Sequence, residues 1–220
     1  MPGTASSDGY KSITWYADNS ELNGIRGAEI PDILLFGGII VDQSTESSLR
    51  RKVEDIKEEY SGHRRVPVKW NFKDLERFYE ENQLEGVYHV LLESSREWRS
   101  EIFESLSEFD IKLIVACIES YSVKRDTLKE VKDDLTRYIF SNALMHLGIY
   151  VQETQPHNTL VVLDWPDKGN TKPFDIEYEH AFIHGETLDD ITYLCGSLRD
   201  HGFADSVAFA NARYTTMLQI

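Results

Sequence analysis

Two β-rich runs stand close together near the start of the chain, and the way they are joined constrains the fold most. Ile13-Thr14-Trp15-Tyr16-Ala17 runs into the turn-forming Asp18-Asn19-Ser20, and Ile33–Val41 has the length and apolarity of a buried strand. Between them lie Asn23-Gly24 and Gly27, residues that favour loops. This arrangement predicts an antiparallel hairpin. A doubly wound parallel sheet needs a crossover between successive strands, so it fits this opening poorly.

The segments that follow alternate between the two periods. Ser44 or Thr45, with Ser47-Ser48, predicts a cap for a helix through about Tyr60, with Leu49, Val53 and Ile56 on one face. Val66–Trp70 reads as a short extended piece, and Lys73–Leu84 and Ser94–Glu108 as amphipathic helices. Ile111–Glu119 is a third strand. Asp126 or Thr127 predicts the cap of a long helix through about Gln152, with Leu128, Val131, Leu135, Ile139, Ala143 and Leu147 at helical spacing. Thr159–Trp165 is apolar throughout and predicts a central fourth strand. Phe174–Ile183 reads as a helix, Ile191–Leu194 as a short fifth strand and Gly202–Met217 as a final helix.

This order predicts an α/β domain: a mixed β-sheet with helices packed on it and a helical insertion between strands two and three. It is the order of the ribonuclease H-like fold. At 220 residues, with no repeat or long linker, residues 12–217 read as a single domain and residues 1–11 as a flexible N-terminal arm.

No apolar run approaches the roughly 20 residues that span a bilayer, so no membrane segment is expected. The polar N-terminus lacks the pattern of a secretory signal, and Cys117 and Cys195 have no metal-ligand or CxxC spacing. Both features predict a cytoplasmic protein with reduced core thiols. Acidic residues number 38 against 23 basic, a net charge of −15. Such a surface repels nucleic acid unless cations act locally; it also fits a high-salt cytoplasm.

Three aspartates end or interrupt apolar elements where folding needs no carboxylate. Asp18 follows the first strand, Asp164 ends Leu160-Val161-Val162-Leu163, and Asp205 interrupts Phe203–Ala210 in the predicted last helix. If strands one and four are neighbours, Asp18 and Asp164 project from adjacent strand ends, where open sheets keep their sites. Clustered carboxylates without His or Cys select Mg²⁺ or Mn²⁺. Against this, a strand-end Asp is often a turn former, and Asp205 has Arg199 and Arg213 as alternative partners.

Lys69 is a candidate phosphate contact. It belongs to the densest basic stretch, His63-Arg64-Arg65 with Lys69, Trp70 and Lys73, whose mixture of cations and an aromatic suits flexible nucleic acid. The plainer reading of that stretch is a solvated face. His180 and His184 have i, i+4 spacing but no HExxH. Ser206 has no Gly-x-Ser-x-Gly context, there is no Walker loop, and Gly37-Gly38 reads as a bulge or close packing rather than phosphate binding.

Tyr16-Ala17-Asp18-Asn19-Ser20, Phe36-Gly37-Gly38-Ile39-Ile40, Val68-Lys69-Trp70, Val161-Val162-Leu163-Asp164 and Gly202-Phe203-Ala204-Asp205 follow one another in the order of a known family. On these motifs the chain, from about residue 12 to 212, resembles the domain-of-unknown-function 3800 family. The resemblance implies a ribonuclease H-like nuclease, associated with mobile or defence genes, in which Asp18, Asp164 and Asp205 are catalytic carboxylates that hold metal and Lys69 assists. Asn19 stands where the family usually has Glu, and Gly202 where it has Gln; Glu21 or His201 are the nearest substitutes, and Glu21 is the candidate fourth ligand.

The leading expectation is thus a divalent-metal-dependent nuclease or phosphodiesterase acting on DNA or RNA. Asn19, Gly202 and the acidity favour a second, a catalytically degenerate module binding a protein partner or a second copy of itself. A third, a hydrolase of small phosphoesters, shares the same residues.

Overall fold

A computed structural model describes residues 11–22, 32–120, 128–166 and 171–220. The Asn23-Gly24 and Gly27 loop, the Asp126 or Thr127 cap and residues 1–10 of the expected arm lie outside the described residues.

Strands β1 (Ser12–Leu22) and β2 (Asp32–Asp42) pair antiparallel, with Trp15 opposite Ile40 and Asp18 opposite Gly37. Helix α1 (Gln43–Ser61) follows β2 directly. A 3₁₀ turn (Phe72–Leu75) leads into α2 (Glu76–Glu81), α3 (Glu85–Glu93) and α4 (Ser95–Leu106). Then come β3 (Lys112–Ser120), α5 (Leu128–Thr154), β4 (Asn158–Asp164), α6 (Lys172–His184) and the short β5 (Ala208–Ala210). The sheet order is β3-β2-β1-β4-β5, with β3 antiparallel to β2 and with β4 parallel to both β1 and β5. The chain is therefore an α/β protein with an open, mixed, five-stranded sheet. The hairpin and the helices inserted between β2 and β3 are as the sequence predicts.

Alternation along the strands builds two cores. Trp15 and Ala17 of β1, Phe36 of β2 and Val161 and Leu163 of β4 pack with Phe140 and Leu144 of α5 and Tyr178 of α6. On the opposite face Ile39 and Val41 pack with Leu49, Val53 and Ile56 of α1 and with Phe72, Tyr79 and Trp98 of the insertion. Helices thus cover both faces, and β4 is buried between β1 and β5.

Several expectations need correction. Asp42, not Ser44 or Thr45, caps α1: its carboxylate accepts the Thr45 N–H at 2.8 Å. Helix α3 occupies residues that carry no side-chain cap and include Gly86, so its start has no local signal. Ile191–Leu194 forms no strand; Glu186 and Thr192 make one isolated bridge. The Gly202–Met217 segment is not a helix. Gly202 adopts φ 74°, and Phe203 then bridges Thr159 while Ala208 pairs with Val162. Five residues of this segment span three of β4, so the strand bulges around Asp205 and Ser206. The unpaired edge of an apolar central strand recruits this segment, and tertiary pairing overrides helix propensity. Cys195 is buried as expected, but Cys117 is exposed on β3.

Candidate functional site

The pairing of β1 with β4 ends at Ala17 and Leu163, and the next residue on each strand is an aspartate. Ala17 and Leu163 belong to the core under α5 and α6, so Asp18 and Asp164 leave the opposite face together. Adjacent strands lie about 4.8 Å apart, a separation at which two carboxylates can share one cation. Strand β1 does not stop at Asp18, as the sequence suggests, but continues along β2 to Leu22.

On that face lies an open cleft of about 600 Å³. Its floor is sheet: Tyr16, Asp18, Gly37, Ile39, Leu113 and Val115. One wall is Lys69, Trp70, Asn71 and Asp74 from the insertion, the other the C-terminal segment from Ala212 to Ile220. Space beside Asp18 exists because its cross-strand partner is Gly37. A Cβ at Gly37 would meet the Ile114 carbonyl oxygen at 2.2 Å, and one at Gly38 the Tyr16 carbonyl oxygen at 1.7 Å. The Gly-Gly pair thus serves close backbone approach; the register through both glycines is unbroken, so the other reading of the sequence, a bulge, does not hold.

Asp164 is anchored. Its Oδ1 accepts the N–H groups of Trp165 at 2.9 Å and Ala212 at 2.8 Å, tying the end of β4 to the segment after β5. Both bonds fall on Oδ1; among the described residues Oδ2 accepts none. Asp18 is exposed, and its Oδ1 accepts the Asn19 N–H at 2.7 Å. Lys69 borders the same cleft as Asp18, on its wall, while Asp164 stands outside the cleft's lining, next to Asp18's strand.

Other candidates separate from this pair. Glu21 borders the cleft but lies three residues beyond Asp18, and on an alternating strand it leaves the opposite face. Asp205 sits on the bulge, exposed, with Ser206 Oγ at 3.4 Å. Its charge helps burial hold the Tyr178 hydroxyl above its usual range, and the Tyr178 hydroxyl of α6 donates to the Ala204 carbonyl. Asp205 therefore belongs to the α6 side of the sheet. Among the described residues neither Arg199 nor Arg213 pairs with it: Arg199 is 3.9 Å from Asp200, and Arg213 lies over the Phe78 ring. Arg64, from the basic stretch, pairs with Asp55 and Glu58 of α1. His180 and His184 lie with ring centroids 4.8 Å apart and planes tilted by 55°, and His201 bonds the Cys195 carbonyl instead of joining the carboxylates.

Among the described residues no three His, Cys, Asp or Glu side chains form a group that could hold a metal ion. Comparison with protein-family models, with curated proteins and with solved structures finds no match. No helix among the described residues is long and apolar enough to cross a membrane.

The structure also adds residues that the sequence left unmarked. Asn71 Nδ2 donates to Asp74 Oδ1 at 2.8 Å on the cleft wall. Gln219 donates to the Ala212 carbonyl and accepts from the buried Lys57 ammonium at 3.1 Å, holding the C-terminal wall to α1. Nothing in the local sequence distinguishes Asp74 from the many other acids that open helices; only its position over the sheet does.

Proposed function

We propose that the cleft is the catalytic site of a divalent-metal-dependent phosphodiesterase, a nuclease of ribonuclease H-like fold, with Asp18 and Asp164 as its metal ligands. One observation carries this reading: two aspartates at matching positions of adjacent parallel strands, on one face of the sheet, the first of them lining an open cleft that also holds a lysine. The sheet order, with its antiparallel hairpin and two parallel strands, supports the fold assignment and with it the likeness to the domain-of-unknown-function 3800 family.

Two carboxylates are enough for Mg²⁺ or Mn²⁺, because such ions keep several waters and complete their shell with substrate phosphate. When bound, the ion supplies positive charge to the phosphate and activates a water. Asp164 is held in place by two backbone amides, so it is oriented before any ligand arrives. Lys69 would meet a phosphate oxygen, and the cleft is open enough to admit a polymer. Asp205 and Glu21 are left out of the ligand set, which makes this a site with fewer carboxylates than the resemblance implies.

A specific observation favours a second reading, a degenerate interaction module: no third metal-binding side chain joins the pair among the described residues. Incubating the protein with labelled single- and double-stranded DNA and RNA in Mn²⁺ or Mg²⁺ separates the two. Cleavage that is lost with EDTA and with Asp18→Asn supports the metallonuclease. No cleavage of any polymer, or cleavage that survives Asp18→Asn, overturns it.

A further inference from the structure

Strand β3 is the outermost strand of the sheet, nine residues long, and among the described residues it has β2 as its sole strand partner. Its outer edge presents a row of backbone N–H and C=O groups that only another extended chain can pair repeatedly. Edge strands are commonly protected by charge, proline or a bulge. From Leu113 to Ile118 this one has none of them: the sequence is Leu-Ile-Val-Ala-Cys-Ile, in register with β2 throughout.

The two faces of the strand differ. Ile114 and Ile118 pack toward α5, while Leu113 and Val115 are 67% and 49% exposed and Cys117 is exposed beside them. On the other side of the cleft stands Trp70, 72% exposed, against Phe103. Exposed apolar side chains grouped along one edge strand mark an interaction site.

We propose that the β3 edge pairs antiparallel with the β3 edge of a second copy, joining two sheets into one of ten strands. The stripe is self-complementary. Under a two-fold axis through Val115, each Val115 faces its own copy, and each Leu113 faces the partner's Cys117, so every exposed apolar side chain of the strand gains an apolar neighbour. The chain carries a net charge of −15, and the uncharged stretch Leu113–Ile118 is where two copies can approach without opposing carboxylates. The same lack of cations disfavours nucleic acid on this edge. The pairing does not depend on the cleft holding metal, and a monomeric protein would leave the metal reading standing.

Light scattering coupled to size exclusion, at tens of micromolar, tests the assembly. The wild type is expected at about twice 25.4 kDa, and the double variant Leu113→Lys/Val115→Lys at the monomer mass with an unchanged circular dichroism spectrum. The register is tested by Leu113→Cys under a mild copper oxidant: a covalent dimer is expected whose disulfide joins the introduced thiol to the partner's Cys117. This second variant decides the matter if the first fails to fold. A monomeric wild type overturns the proposal. So does a dimer that survives a folded double-lysine variant, or a Leu113→Cys dimer that does not cross-link to Cys117.

Discussion

Asp18 and Asp164 occupy the position immediately after Ala17 and Leu163, where the parallel pairing of β1 with β4 ends. The pair arises from sheet topology, since 145 residues separate the two in sequence (164 − 18 − 1). β4 reaches β1 by passing over the sheet through α5, and the register then sets both carboxylates on the cleft face. Gly37, opposite Asp18, keeps that face open.

Lys69 is the cation of the cleft wall, and its contribution should be electrostatic. Lys69→Ala is expected to lower the turnover of a phosphodiester substrate by about a hundredfold while leaving metal affinity unchanged. Steady-state kinetics beside a Mn²⁺ titration checks this. Unchanged turnover would remove Lys69 from the site.

Lys57 links stability to pH. Its ammonium is buried, donating to the Val66 carbonyl and to Gln219 at 3.1 Å each. Burial holds its pKa down at about 8, against the usual 10.5, with Glu54 opposing the shift. The folded value lies below the unfolded one, so between them the unfolded chain binds more protons and stability rises with pH. Relative to Lys57→Met, the wild type should gain about 2 kcal/mol between pH 7.5 and 9.5 in urea unfolding. Parallel curves for the two proteins would refute the assignment.

Glu177 of α6 is completely buried and meets Arg137 of α5 at 2.8 Å, while Arg137 also reaches Asp189 at 3.0 Å. Arg137→Met leaves a buried carboxylate without its cation and should cost about 3 kcal/mol. Adding Glu177→Leu removes that charge and should recover much of the loss. A double-mutant cycle in urea measures it; a double variant as unstable as the single one would contradict the account.

Much of the scaffold was legible in the chain because it depends on local pattern. The hairpin, α1, β3, α5 and β4 each carry an apolar repeat that matches one secondary-structure period. The C-terminal part was not legible. The apolar stretch Phe203–Ala210 reads as part of a final helix, yet the open edge of β4 draws the segment into a strand with a bulge at Asp205. Asp205, which helical spacing sets on an apolar helix face, is therefore an exposed residue on the α6 side. The cap of α1 was misplaced for a smaller reason: Asp42, Ser44 and Thr45 are all competent, and only geometry shows that Asp42 takes the Thr45 N–H. The juxtaposition of Asp18 with Asp164 follows once strands one and four are neighbours, as their parallel register has them. The cleft walls at Asp74 and Gln219 depend on how the insertion and the C-terminus fold over the sheet, and no local signal encodes that.

The proposed site requires Asp18 and Asp164 to hold one cation together. Titrating the protein with Mn²⁺ and following the free-ion signal by electron paramagnetic resonance measures this without requiring a substrate. The wild type should bind a single ion, Asp18→Asn and Asp164→Asn should each weaken it by about tenfold or more, and Asp205→Asn should leave it unchanged. Equal binding by wild type and Asp18→Asn, or loss of binding with Asp205→Asn, would contradict the site described above.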